Sequence, residues 1–139
     1  MNNTQKWIVN LVKNLDDAID EEAKKRVLED VGRGCIPNGF IDQVKIRIED
    51  FDDPESFIDS MCSNWDKISR EGEYIYITYP ECSCPVVKES PEKLSPTFCN
   101  CCRGWVMELF ETVIKKPVDV AIESTILGGA DSCRIRISI

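Results

Sequence analysis

The stretch that decides the fold is "GWVMELFETVIKKPVDVAIESTILGGADSCRIRISI", residues 104–139. In its first third Trp105, Val106, Leu109, Phe110, Val113 and Ile114 recur at helical spacing. Lys115 and Lys116 close that run, where positive charge suits the unpaired carbonyls of a last turn. Near Pro117 the period changes from helical to alternating. Two runs, "PVDVAIESTI" and "CRIRISI", then read as strands joined by the turn "LGGAD". Alternation also predicts their register. With Leu127 opposite Ser132, Ile126 faces Cys133, Ser124 faces Ile135 and Ile122 faces Ile137, so the apolar residues share one face. The same offset sets Glu123 opposite Arg136 on the other face.

Upstream, "YIYITY" at residues 74–79 is an aromatic and β-branched strand that Pro80 ends. Before it the chain reads as helices. Residues 4–15 carry Trp7, Ile8, Leu11, Val12 and Leu15 on one stripe, with Asn3 or Thr4 as cap. "DEEAKKRVLEDVG" starts from Asp20 as cap and ends at Gly32. "FIDQVKIRIEDF" fits a strand and a helix almost equally, and helix is favoured. In "DDPESFIDSMCSNW" Asp53 caps, Pro54 takes the first helical position, and Phe57, Ile58, Met61, Cys62 and Trp65 form the stripe. The expected architecture is α+β: N-terminal helices, then strand, loop, helix and β-hairpin, with helices covering an antiparallel sheet. One domain is expected over residues 1–139, its helical part about 1–66 and its sheet-plus-helix part about 70–139.

Composition narrows the function. The 139 residues carry a formal charge of −8 with scattered lysines and arginines, which argues against a nucleic-acid partner. The apolar runs fall far short of the roughly 20 residues of a membrane helix. The N-terminal segment lacks the layout of a secretory signal, so a cytoplasmic location with reduced thiols is expected. The chain has eight cysteines and no histidine, so a metal site must use sulfur or oxygen, and no imidazole can serve as a base.

Five of the eight cysteines lie between residues 81 and 105. Cys62 and Cys102 fall on apolar helical stripes and read as core, as does Trp105. Cys133 shares the apolar face of the last strand, and Cys35 sits beside the glycine-rich turn "GRGCIPNG". Cys82, Cys84, Cys99 and Cys101 have no such periodicity. They form two Cys-x-Cys pairs separated by 14 residues, and four thiolates are a donor set for zinc. Residues two apart on an α-helix diverge, so Cys99 must precede the helix if it shares an ion with Cys101. The helix start and Arg103 would then favour thiolate over thiol.

The segments "YIYITYPECSCPVV", "FCNCCRGWVMELFE" and "KPVDVAIESTILGGADSCRIRISI" resemble a family of small bacterial and archaeal cysteine-rich proteins of unknown role. That family is similar to the 4-vinyl-reductase-type ligand-binding domains and to aminothiazoline-carboxylate-hydrolase-like proteins. The resemblance is best over about residues 74–139, and "VLEDVGRGC" extends it upstream. It carries over Cys35, Cys82, Cys84, Cys99, Cys101, Gly104, Trp105, Phe110, Gly128 and Cys133, whereas residue 102, often serine there, is cysteine here. The vinyl-reductase-type likeness implies an antiparallel sheet and helices around a small-molecule pocket.

Two functions therefore stand side by side. The first is a metal-binding domain, zinc foremost, with Cys82, Cys84, Cys99 and Cys101 as ligands, Cys35 and Cys133 as neighbours, and a small-molecule ligand beside them. The second is a hydrolase or thiol-redox enzyme using Cys99 or Cys101 as thiolate. A structural or disulfide role for the same cysteines is the third account, and the oligomeric state is left open.

Overall fold

The computed structural model describes residues 2–35, 39–81, 84–90 and 92–139. Four helices come first: α1 Asn3–Ala18, α2 Glu21–Arg33, α3 Phe40–Ile48 and α4 Pro54–Asn64. The hairpin β1 Ile68–Glu71 and β2 Tyr74–Tyr79 follows, then the short α5 Pro85–Glu89 and the long α6 Asn100–Ile114. Strands β3 Asp119–Ser124 and β4 Cys133–Ser138 close the chain. The four strands form one antiparallel sheet in the order β1-β2-β4-β3, so the expected α+β class is found. Among the described residues no helix is long and apolar enough to cross a membrane.

The local signals explain most of these elements. Asp20 and Asp53 accept from the Ala23 and Ser56 amides, which caps α2 and α4 as their sequences predict. The ambiguous 40–51 segment is helical over Phe40–Ile48. The cap of α1 is Asn2, one residue before the expected pair, and it forms a capping box with Gln5. Two elements were not expected. β1 carries a single buried residue, Ile68, and turns back at Gly72 with φ of 63°, so its sequence lacks a strand's alternation. α5 starts at Pro85 inside what reads as a cysteine loop.

The inner face of the sheet carries Ile68, Ile75, Ile77, Val120, Ile135 and Ile137, and α6 lays Val106, Leu109, Phe110 and Val113 across it. On the outer face Arg134 and Arg136 lie over the Tyr76 and Tyr74 rings and pair with Glu71 and Glu123. A smaller cluster joins Val9 and Val12 of α1 to Leu28, Leu94, Phe98, Cys99 and Leu127. This corrects the expected stripe of α1. Val9 and Val12 face inward, while Trp7 and Leu11 are 64% and 42% exposed.

The hairpin register also differs from expectation. Val120 faces Ile137 and Ile122 faces Ile135, two residues away from the predicted pairing, and the ladder is irregular between Ile122 and Ser124. A shift of two keeps every apolar side chain on the same face, so alternation cannot distinguish the two registers. The connecting segment decides. Residues 125–130 coil through bonds from the Gly128 and Ala130 amides to the Thr125 carbonyl, and Leu127 is buried in the smaller cluster. Those residues are thus unavailable to extend the strands. Arg136 stands opposite Ala121 instead of Glu123, yet its side chain still reaches Glu123 at 3.3 Å, with Arg134 added at 3.0 Å.

Candidate functional site: a cysteine-walled cavity

The α2–α6 crossing positions the site. Gly32 lies against the backbone of Cys101 and Gly104 against the backbone of Glu29. A Cβ at either position would stand under 3.0 Å from backbone atoms, closer than real side chains approach. Gly32, read from sequence as the end of α2, is therefore a close-packing residue inside the helix. The Arg103–Glu29 pair and the bonds from Arg33 to Glu108 and Glu111 lock the crossing. Cys35 follows α2 by two residues, so the crossing carries it to the start of α6.

That start has the form the Cys-x-Cys spacing demands. Ser95 caps a turn of 3-10 helix, Pro96–Cys99, and α6 proper begins at Asn100. Cys99 thus precedes the α-helix, and Cys101 stands in its first turn. Cys84 is the cap residue of α5, and α5 packs through Val86 and Val87 onto the cluster that holds Cys99. Cys99 and Cys101 are each 9% exposed, Cys84 is half-buried and Cys35 is exposed.

These residues line one cavity of about 1000 Å³ between the α6 start, α3, α4 and the β2–β4 end of the sheet. Cys35, Cys84, Cys99, Cys101, Cys102 and Cys133 contribute to its wall. Cys82 lies outside the described residues. From the α3–α4 region, Val44, Phe51, Phe57, Met61 and Trp65 make an apolar side. Of the cysteines read as core, Cys102 packs on the main cluster and also lines the cavity, as does Trp105. Cys62 is half-buried against the same cluster, and burial raises its thiol. Cys133 faces the cavity from the start of β4, accepting from the Ile126 amide at 3.3 Å.

The thiols influence one another. Burial, with Cys35, Cys84 and Cys99 nearby and a hydrogen bond to Cys35, pushes Cys101 up to about 12. This reverses the expectation that the helix start and Arg103 favour its thiolate. Arg103 is turned away, paired with Glu29 and donating to the Val120 carbonyl at 2.6 Å. Desolvation thereby outweighs the helix terminus. Among the described residues, no three histidine, cysteine, aspartate or glutamate side chains are grouped closely enough to hold a metal ion. Cys84, Cys99 and Cys101 thus share a cavity wall without forming a closed cage.

The apolar side was missed in the sequence because Phe57, Met61 and Trp65 carry an ordinary core signal. A stripe cannot report whether it meets another side chain or a void. Tyr79 is a second omission. Tyr74 and Tyr76 belong to the outer face, whereas Tyr79 lines the cavity opposite Cys133 across the β2–β4 ladder.

A family model described as a family of unknown function (DUF6144) matches residues 1–139, and the chain belongs to that family. No curated protein matches it.

Proposed function

We propose that this DUF6144 member is a binding domain that holds a thiophilic metal ion, zinc foremost, at the cysteine wall of an apolar ligand cavity. Cys82, Cys84, Cys99 and Cys101 are its ligand set, with Cys35 and Cys133 adjoining. The observation that supports this reading is the convergence of thiols from three separate segments, the end of α2, the start of α5 and the start of α6, on one cavity. A buried thiol must lose its proton to bind, and a divalent cation drives that loss, so zinc uptake releases protons and weakens toward acid pH. The set needs reduced thiols, in keeping with a cytoplasmic location. The likeness to vinyl-reductase-type domains supports a small molecule in the remaining space.

Metal analysis of reduced protein purified without added metal tests the reading. About one zinc per chain is expected, with Cys84→Ser and Cys99→Ser each lowering that content at least tenfold. A stoichiometry near zero in folded, reduced protein sinks it.

The contact of Cys35 with Cys101 favours a second reading, thiol-redox function. Two thiols would join as a disulfide and pass two electrons and two protons to a small disulfide oxidant. Free-thiol titration in a glutathione redox buffer separates the readings: reversible loss of two thiols, both recovered from these positions, supports redox use, and no loss counts against it.

A further inference from the structure

The cavity carries polar groups that its cysteines do not account for. At about 1000 Å³ it lies at the upper end of the range of small-molecule sites, roughly 300–1,000 Å³. Its described hydroxyls belong to Ser60, Tyr79, Ser124 and Thr125. Ser124 donates to the Ser132 carbonyl at 3.0 Å, Thr125 accepts from the Gly128 amide at 2.9 Å, and Ser60 accepts from Asn64 at 3.2 Å. The Tyr79 hydroxyl alone of these has no hydrogen bond among the described residues. Its ring is held by the sheet ladder to Cys133 and by the edge of Trp65, with centroids 6.3 Å apart. Its hydroxyl is accessible in the wall of a mostly apolar cavity, where it can donate to a bound molecule.

We infer that Tyr79 orients a neutral, predominantly apolar ligand by donating a hydrogen bond to a carbonyl-type oxygen of that molecule. Burial, with Cys102 and Cys133 adjacent, pushes the phenol above its ordinary value, so it remains a protonated donor. Charge selects the neutral class. Arg47 is the one cation among the described residues lining the cavity; it is exposed on α3, and the acids Asp50 and Glu81 line the cavity too. A carboxylate at Tyr79 would exchange its hydration for a single neutral donor, a loss larger than one hydrogen bond returns. A ketone, amide or ester oxygen carries no such penalty. The inference rests on the cavity being a binding site and is independent of zinc.

Benzophenone and diphenylmethane, near-isosteric probes that differ in the carbonyl, test it by calorimetric titration of reduced wild-type protein and of Tyr79→Phe. The expected result is saturable binding of both probes by wild type. Tyr79→Phe should weaken benzophenone about fivefold and leave diphenylmethane unchanged. Equal binding of benzophenone by both proteins overturns the proposal. Equal weakening of both probes also overturns it, because the phenol then only packs. Absence of saturable binding to wild type does the same. The carbonyl stretch of benzophenone bound to wild type is a readout that does not depend on the variant folding. It should fall below its value in hydrocarbon solvent, and an unshifted stretch refutes the donor. The Tyr79 effect is expected in metal-free protein as well, so a metal analysis that sinks the zinc reading leaves this one standing.

Discussion

The two ends of α6 cross the same face of the same sheet, yet one end is solid and the other is hollow. Toward its C-terminus, Phe110 and Val113 are fully buried against Val120 and Ile137, which are 1% and 0% exposed. Toward its N-terminus, Cys102 and Trp105 are half-buried and look into a cavity beside Tyr79 and Cys133. The apolar period is unbroken along the helix. The difference arises because α3 and α4 supply walls at that end instead of filling the space, while the Gly32–Gly104 crossing holds the α6 start against α2. A continuous helical stripe can therefore serve a core and a binding cavity at once.

The strongest way to break the comparison is at the crossing. Gly32→Val and Gly104→Val each place side-chain atoms where backbone stands, and backbone cannot yield as a flexible side chain does. A loss of about 3 kcal/mol or more is expected in urea unfolding, with Cys35 and Cys101 no longer adjacent. Gly34→Ala is the control. The nearest atom to its added Cβ is 3.7 Å away, so stability should be unchanged or raised by a few tenths to about 1 kcal/mol.

Truncation on each side of the boundary sharpens the contrast. Phe110→Ala opens a void in a filled region and should cost about 3–5 kcal/mol. Met61→Ala enlarges a space that already exists, so only its transfer term is lost, about 1–2 kcal/mol. Equal costs, read from urea midpoints at constant slope, would mean that the cavity collapses in solution.

The smallest effect concerns reactivity alone. A thiol held at about 12 is roughly one part in ten thousand thiolate at pH 8, and the thiolate is the reactive form. Cys35, which is exposed, should therefore alkylate well before Cys101 in metal-free reduced protein. The Cys101 rate should climb about tenfold per pH unit through the alkaline range, followed by mass spectrometry of the labelled peptides. A Cys101 that reacts fast at pH 7 would restore the expectation of a helix-activated nucleophile.

Much of this architecture was legible beforehand. The α6 stripe, the Asp20 and Asp53 caps and the alternation in β2 and β4 each rest on neighbours within a few residues. β1 was not legible, because Ile68 is the only residue it buries. α5 has five residues, too few for a stripe to declare itself. The inward face of α1 was misread because Trp7 and Leu11 are as apolar as Val9 and Val12, and partners remote in the chain, among them Leu28, Leu94, Phe98 and Leu127, decide which pair is covered. Cys99 lies outside the α-helix, as the two-residue spacing requires of a shared site, but the ionisation of Cys101 came out opposite to the local expectation.

By itself, the sequence determined where most helices and strands form, which faces of most of them are apolar, and that any chelating site would use sulfur or oxygen without imidazole. Those properties follow from backbone periodicity and side-chain chemistry, which act over short separations. Only the tertiary structure decided the hairpin register, the burial of Cys101, the meeting of Cys35 with it and the void under Trp65 and Tyr79. The register follows from how residues 125–130 coil and bury Leu127, whereas the meeting of Cys35 with Cys101 depends on the distance between α2 and α6, set by two glycines with no side chain to keep the helices apart.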